Sequence, residues 1–150
     1  MSADRRRLKV VAALARVRLA QRDAAKWDLA RAAARVEQAR TDVSRLTQMR
    51  DVQVIGWQGV VLGANLDLQA ARGWAAAVLQ AQASLAQGQD ALTKTEEARD
   101  GARQGLFRAE TNVDVATRAA RRIGRRVARQ DEERLVGEVS DRVTQRWSGR

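Results

Sequence analysis

No proline occurs anywhere in this chain of 150 residues. One proline inside a helix costs it about 3 kcal/mol, because the ring removes an amide donor and clashes with the preceding turn. A chain without any can therefore run helices much longer than a globular domain needs. Alternating steps of three and four residues from Leu8 reach Val11, Ala15, Arg18, Arg22, Ala25, Leu29, Ala32, Val36, Ala39, Val43 and Leu46. Ten of these twelve are apolar, with Arg18 and Arg22 the exceptions. A second series starts at Ala71 and passes through Trp74, Val78, Ala81, Leu85, Gly88, Leu92, Thr95, Arg99, Ala102, Leu106, Ala109, Val113, Ala116, Ala120 and Ile123 to Val127. A period near 3.5 kept up for this long describes a supercoiled seam, not the single apolar face of a globular helix.

The pattern fails once, between Val52 and Asn65, where Gly56, Gly59 and Gly63 cluster ahead of two candidate N-caps, Asn65 and Asp67. Glycine can supply the positive φ that ends a helix, and Asn or Asp can cap the next one. Two amphipathic arms around one break are satisfied by facing each other. The expected fold is all-α, a long two-helix antiparallel coiled-coil hairpin with an overhanging C-terminal helix end. It would form one unit over 1–150, with helix 1 at about 4–58, a turn at about 59–66 centred on Gly63 to Asn65, and helix 2 at about 67–146. One unbroken helix that dimerises is the other solution the pattern admits.

Folded at that turn, residue i is expected to face roughly residue 125 minus i at coiled-coil spacing. Leu46 would then meet Val78, Ala39 would meet Leu85, Leu29 Thr95, and Leu8 Ala116. Many seam positions are alanine or glycine, so each contact buries little area at about 25 cal/mol per Å². Arg18, Arg22 and Arg99 fall on the seam and are expected to snorkel outward, with Asp23, Asp28, Glu96 and Glu97 within reach.

Composition narrows the function. His, Cys and Tyr are all absent, which removes disulfides, thiol chemistry, the commonest metal ligand and the commonest general base. No glycine loop of phosphate-binding form is present. The chain is expected to be non-catalytic and to need no cofactor or metal. No apolar run reaches the roughly 18 residues of a membrane span. The stretch from Val10 to Ala15, which follows Arg5, Arg6, Arg7 and Lys9, is broken by Arg16 and Arg18 and does not read as a signal peptide, so a cytoplasmic location is expected.

The net charge is +10, and nearly all the basic residues are arginine. Arg118, Arg121, Arg122, Arg125, Arg126 and Arg129 cluster in the second arm, and the hairpin would bring Arg5, Arg6 and Arg7 beside them. Nucleic acid or an anionic membrane surface is the alternative partner class that such charge admits. Nucleic acid is disfavoured, because no Tyr or Phe alternates with the arginines for base stacking. The second arm is also the longer one, so from about Val127 it would lack a mate. Leu135, Val139, Val143 and Trp147, with Val136 beside them, continue there at helical spacing. An apolar stripe left in water marks a binding surface. Near the turn, Met49, Trp57, Trp74, Val78 and Leu79 exceed what a narrow two-helix seam can cover.

The Ala- and Arg-rich first helix (LARVRLAQRD from Leu14), the glycine turn and the segment GANLDLQ from Gly63 followed by Trp74 resemble the FliJ family. So does the charged run RQDEER from Arg129. This is the flagellar type III export stalk family, with YscO-like injectisome relatives. The resemblance implies a coiled coil whose terminal end enters a hexameric export ATPase and whose other end meets the cytoplasmic domain of the export-gate membrane protein. Escort of export chaperones and a peripheral location at the inner membrane, reached through the export apparatus, are implied as well. On this chain the ring-facing residues would be Arg5, Arg6, Arg7, Arg121, Arg122, Arg125, Arg126, Arg129, Leu135, Val139, Val143 and Trp147. The gate-facing residues would be Met49, Trp74, Val78, Ala81 and Leu85.

Overall fold

The structure, a computed structural model, describes residues 3–148. It is all-α, with two long helices in an antiparallel hairpin. Helix α1 spans Ala3–Val61, 59 residues, and α2 spans Leu68–Ser148, 81 residues. The chain turns once, which sets aside the unbroken helix.

The turn differs in detail from expectation. α1 runs straight through Gly56 and Gly59, so the link is confined to residues 62–67. No described glycine has a positive φ, so glycine does not end α1 by a left-handed cap. Six residues are enough to reverse the chain through successive bends. Gly63 sits in a tight place instead: a Cβ there would lie 3.1 Å from the Gly59 carbonyl oxygen, close enough that the backbone would have to give by a few tenths of an ångström. At the other side of the link Asp67, not Asn65, is the N-cap. Its Oδ1 accepts hydrogen bonds from the amides of Gln69 at 2.9 Å and Ala70 at 3.1 Å, satisfying two of the donors that every helix start leaves open.

The residues group into two compact units, one of Lys26–Gly105 and one of residues 1–25 with 106–150. In the first, Val36 is the most buried side chain at 1% exposure, and Leu85 is covered to 7%. Two glycines act as holes for large knobs. A Cβ on Gly56 would come within 2.8 Å of Trp74 Cε3 and closer still to the rest of the ring, so the indole lies directly on the α1 backbone. Gly88 receives Leu46, whose Cδ1 lies 2.7 Å from where its Cβ would be. Arg40 crosses between the helices to Glu96 at 3.1 Å. In the second unit the core is Ala116 and Val127, and Leu8 packs on Gly124. There Arg5 reaches Asp131 at 2.7 Å and Gln130 donates to Asp4 at 2.8 Å.

Every seam position read from the heptads, in both arms, is buried or half-buried. The expected pairing along the seam is corrected. Leu46 meets Gly88 and not Val78, and Leu8 meets Gly124 and not Ala116. The displacements are ten and eight residues, between one heptad and one and a half, and a shift of that size returns seam positions to the seam. Periodicity is blind to it. The glycine holes and the short link choose the register that it leaves open. Arg22 and Arg99 turn outward to the neighbouring carboxylates of Asp23 and Asp100, at 2.8 and 3.0 Å, and Arg18 donates to Gln21.

Candidate partner-binding surfaces

The register shift moves the start of the unpaired region. Val127, expected as its first residue, is 9% exposed and belongs to the core. Pairing continues to Asp131 through Arg5. From Glu132 to Ser148 every residue is exposed, although α2 continues without a break. Leu135 is 62% exposed, Trp147 is 82% exposed, and Val136, Val139 and Val143 lie between those values or just below them. The expected overhang is present, and it carries the expected stripe.

That stripe does not extend the hairpin seam. Carried on from Val127 by steps of three and four, the seam positions are Gln130, Arg134, Gly137, Asp141 and Thr144, none of them a large apolar residue. Val136, Val139 and Val143 sit two residues after Arg134, Gly137 and Asp141. At about 100° per residue, two residues are a rotation of about 200°, so the three valines of the stripe lie nearly opposite the seam, with Leu135 and Trp147 turned part of the way back towards it. Extending α1 would not have covered it. The surface it presents lies on the outer side of α2.

The same outer side carries the arginines. Arg118, Arg121, Arg122 and Arg125, with Val115, line a shallow hollow of about 590 Å³. Among the described residues none of Arg121, Arg122, Arg125, Arg126 and Arg129 has a carboxylate partner, whereas Arg118 approaches Asp114 at 3.9 Å. Arg5 is held by Asp131, and Arg7 lies 3.7 Å from Asp4, so two of the three N-terminal arginines expected to join the cluster are already engaged with carboxylates. A second hollow, of similar size, lies beside Val139, Arg142, Val143 and Arg146. Read along the outer side of α2, a cationic block gives way to an apolar one.

The residues expected to face the export gate separate into two kinds. Leu85 is core, as its seam position predicts, and offers no surface, which corrects its assignment to the gate-facing set. Trp74 is half-buried on Gly56, so its first role is to hold the two helices together, and Val78 is half-buried beside the seam. Met49 is 52% exposed. With Ala81, Leu46, Gln53, Ala77, Gln80 and Ser84 it lines a hollow of about 230 Å³ that straddles both helices. Trp57 and Leu79 are exposed as expected. Trp27 and Phe107 are exposed too, at 72% and 70%, and were not singled out by the heptad reading. Both fall between seam positions, and an aromatic residue placed out of register was the available signal.

No group of acidic side chains among the described residues is arranged to hold a metal ion. Among them no helix is long and apolar enough to cross a membrane. No protein-family model matches the chain, and no curated protein or solved structure matches it.

Proposed function

We propose that this chain is a non-catalytic stalk or adaptor of a type III protein export apparatus, in which one unit meets the hexameric export ATPase and the other meets the cytoplasmic domain of the export-gate membrane protein. The observation that carries the reading is the run of exposed residues 132–148, whose apolar stripe adjoins unpaired arginines on the same side of α2. A ring with apolar clefts and acidic loops would take both. The FliJ-like segments around the turn and at Arg129 support the same reading, and the export chaperones are candidate clients. The protein would act in the cytoplasm and reach the inner membrane only through its partners.

The test is to mix the purified chain with the export ATPase. Hydrolysis should rise and hexamers should form, and Val139→Glu with Val143→Glu should abolish both while the circular dichroism stays helical. No change in either property on adding the intact chain sinks the proposal. Gate binding is better probed with Met49→Glu than with Trp74→Ala, because removing the indole would also loosen the hairpin.

The unpaired arginines favour one rival, binding to nucleic acid or to an anionic membrane. It requires affinity that falls steeply with salt, by nearly one unit of log K per unit of log salt for each phosphate neutralised. Non-saturating DNA binding in a filter assay, with no sedimentation on anionic vesicles, dismisses it.

A further inference from the structure

The unpaired stripe has a symmetry that an arbitrary docking face does not need. Leu135, Val139, Val143 and Trp147 are spaced evenly by four residues. A two-fold axis through the level of Asp141 maps Leu135 onto Trp147 and Val139 onto Val143. Charge differs across the same axis. Residues 134–140 hold Glu138 with Arg134, and residues 142–148 hold Arg142 and Arg146 with no carboxylate. The apolar stripe runs through both halves.

We infer that residues 132–148 pair antiparallel with the same residues of a second copy of this chain. Such a contact is isologous: one patch serves both partners, and it closes after two. Each Glu138 then lies beside Arg142 of the second copy on the same flank of the stripe, giving two symmetric ion pairs. Neither side chain has a salt-bridge partner among the described residues of its own chain. A parallel pair would place Glu138 level with Glu138 and Arg142 level with Arg142, and would leave the two ends of the stripe, leucine and tryptophan, stacked on themselves.

The surface is small. Two helices of 17 residues overlap along about 25 Å at 1.5 Å per residue, which falls short of the roughly 1,200 Å² of a standard stable interface. The dimer is therefore weak and forms only as concentration rises. It covers the stripe that an ATPase ring would occupy, so the paired chain is a resting form and the single chain the one able to dock. The pairing depends only on residues 132–148 and stands or falls apart from the export reading.

Sedimentation velocity of the full chain across a wide concentration range should show a monomer–dimer equilibrium. Glu138→Arg alone and Arg142→Glu alone should each raise the dissociation constant at least about tenfold. An equal mixture of those two variants should restore it, because each repelling flank then meets its opposite. The chain has no cysteine, so orientation can be read directly. A mixture of V139C and V143C should form the crosslinked pair under mild oxidation, and V139C alone should not. A chain that is monomeric at every concentration overturns the inference and leaves the export proposal intact. So does V139C crosslinking to itself in preference to V143C, or a charge-reversed mixture that fails to recover.

Discussion

Helix α2 contains two stretches of similar chemistry that fare differently. Between Ala71 and Val127, the valines, leucines and alanines that recur at seam spacing are all sheltered. Between Glu132 and Ser148, valine and leucine recur just as regularly and none is sheltered. Both stretches are helical and both are flanked by arginine, so propensity and composition do not separate them. The phase of the apolar pattern does. In the first stretch it keeps step with α1; after Val127 its valines are rotated by about 200° to the opposite side. A helix that changes its apolar side presents a surface its own hairpin cannot cover, and the hairpin register is what makes the change visible.

The contrast is broken most severely by removing core from the paired stretch. Leu85→Ala should destabilise the hairpin by about 2–3 kcal/mol, since the side chain is 7% exposed and its loss leaves a cavity in the seam. Thermal melting followed at the helical band measures it. Next comes Gly56→Ala. An exposed helical glycine normally gains up to about 1 kcal/mol on conversion to alanine, but here the new methyl strikes a rigid indole. A net loss of about 1–3 kcal/mol is expected. A gain would mean that Trp74 is not seated on that glycine.

The two substitutions also show what could be read from residues alone. The seam was fully legible, because a and d positions in a long heptad have no competing use. The arginines on it were legible as outward-turning, and each found a neighbour in its own helix. The pairing register was not, since a slip of between one heptad and one and a half returns seam positions to the seam; only contacts such as Leu46 on Gly88 and Trp74 on Gly56 resolve it. That one ambiguity explains why Val127 falls inside the core and not at the start of the overhang, whereas the burial of Leu85 follows from its seam position in either register. The sticky end was legible as surplus hydrophobicity. The side of the helix it occupies became clear only once the seam had been carried past Val127.

Smaller effects sharpen the comparison. Asp67→Ala removes two side-chain bonds from the start of α2 and should lower stability by about 1 kcal/mol, read as a shift in melting temperature. Gly101→Ala should raise stability by up to about 1 kcal/mol, because its Cβ would meet nothing within 4 Å. The opposite signs expected for Gly56 and Gly101, the same change in the same kind of helix, are a direct measure of where the two arms touch.

The smallest effect is the most informative. Leu135→Ala deletes as much side chain as Leu85→Ala, but from a residue that no part of its own chain covers. In dilute solution the melting temperature should move by less than about 0.5 kcal/mol would produce, and it could rise slightly, since alanine is the better helix former. Raising the concentration of the unsubstituted chain should then stabilise it, by mass action on a dimer that only the folded state forms, and the substituted chain should not respond. Hydrogen exchange should agree: amides of 132–148 exchange fast in dilute solution, because a helix of that length is marginal without a partner. They should slow only where the stripe is covered. A large loss of stability from Leu135→Ala in dilute solution would mean that the tail folds onto its own chain, and the distinction between the two halves of α2 would disappear.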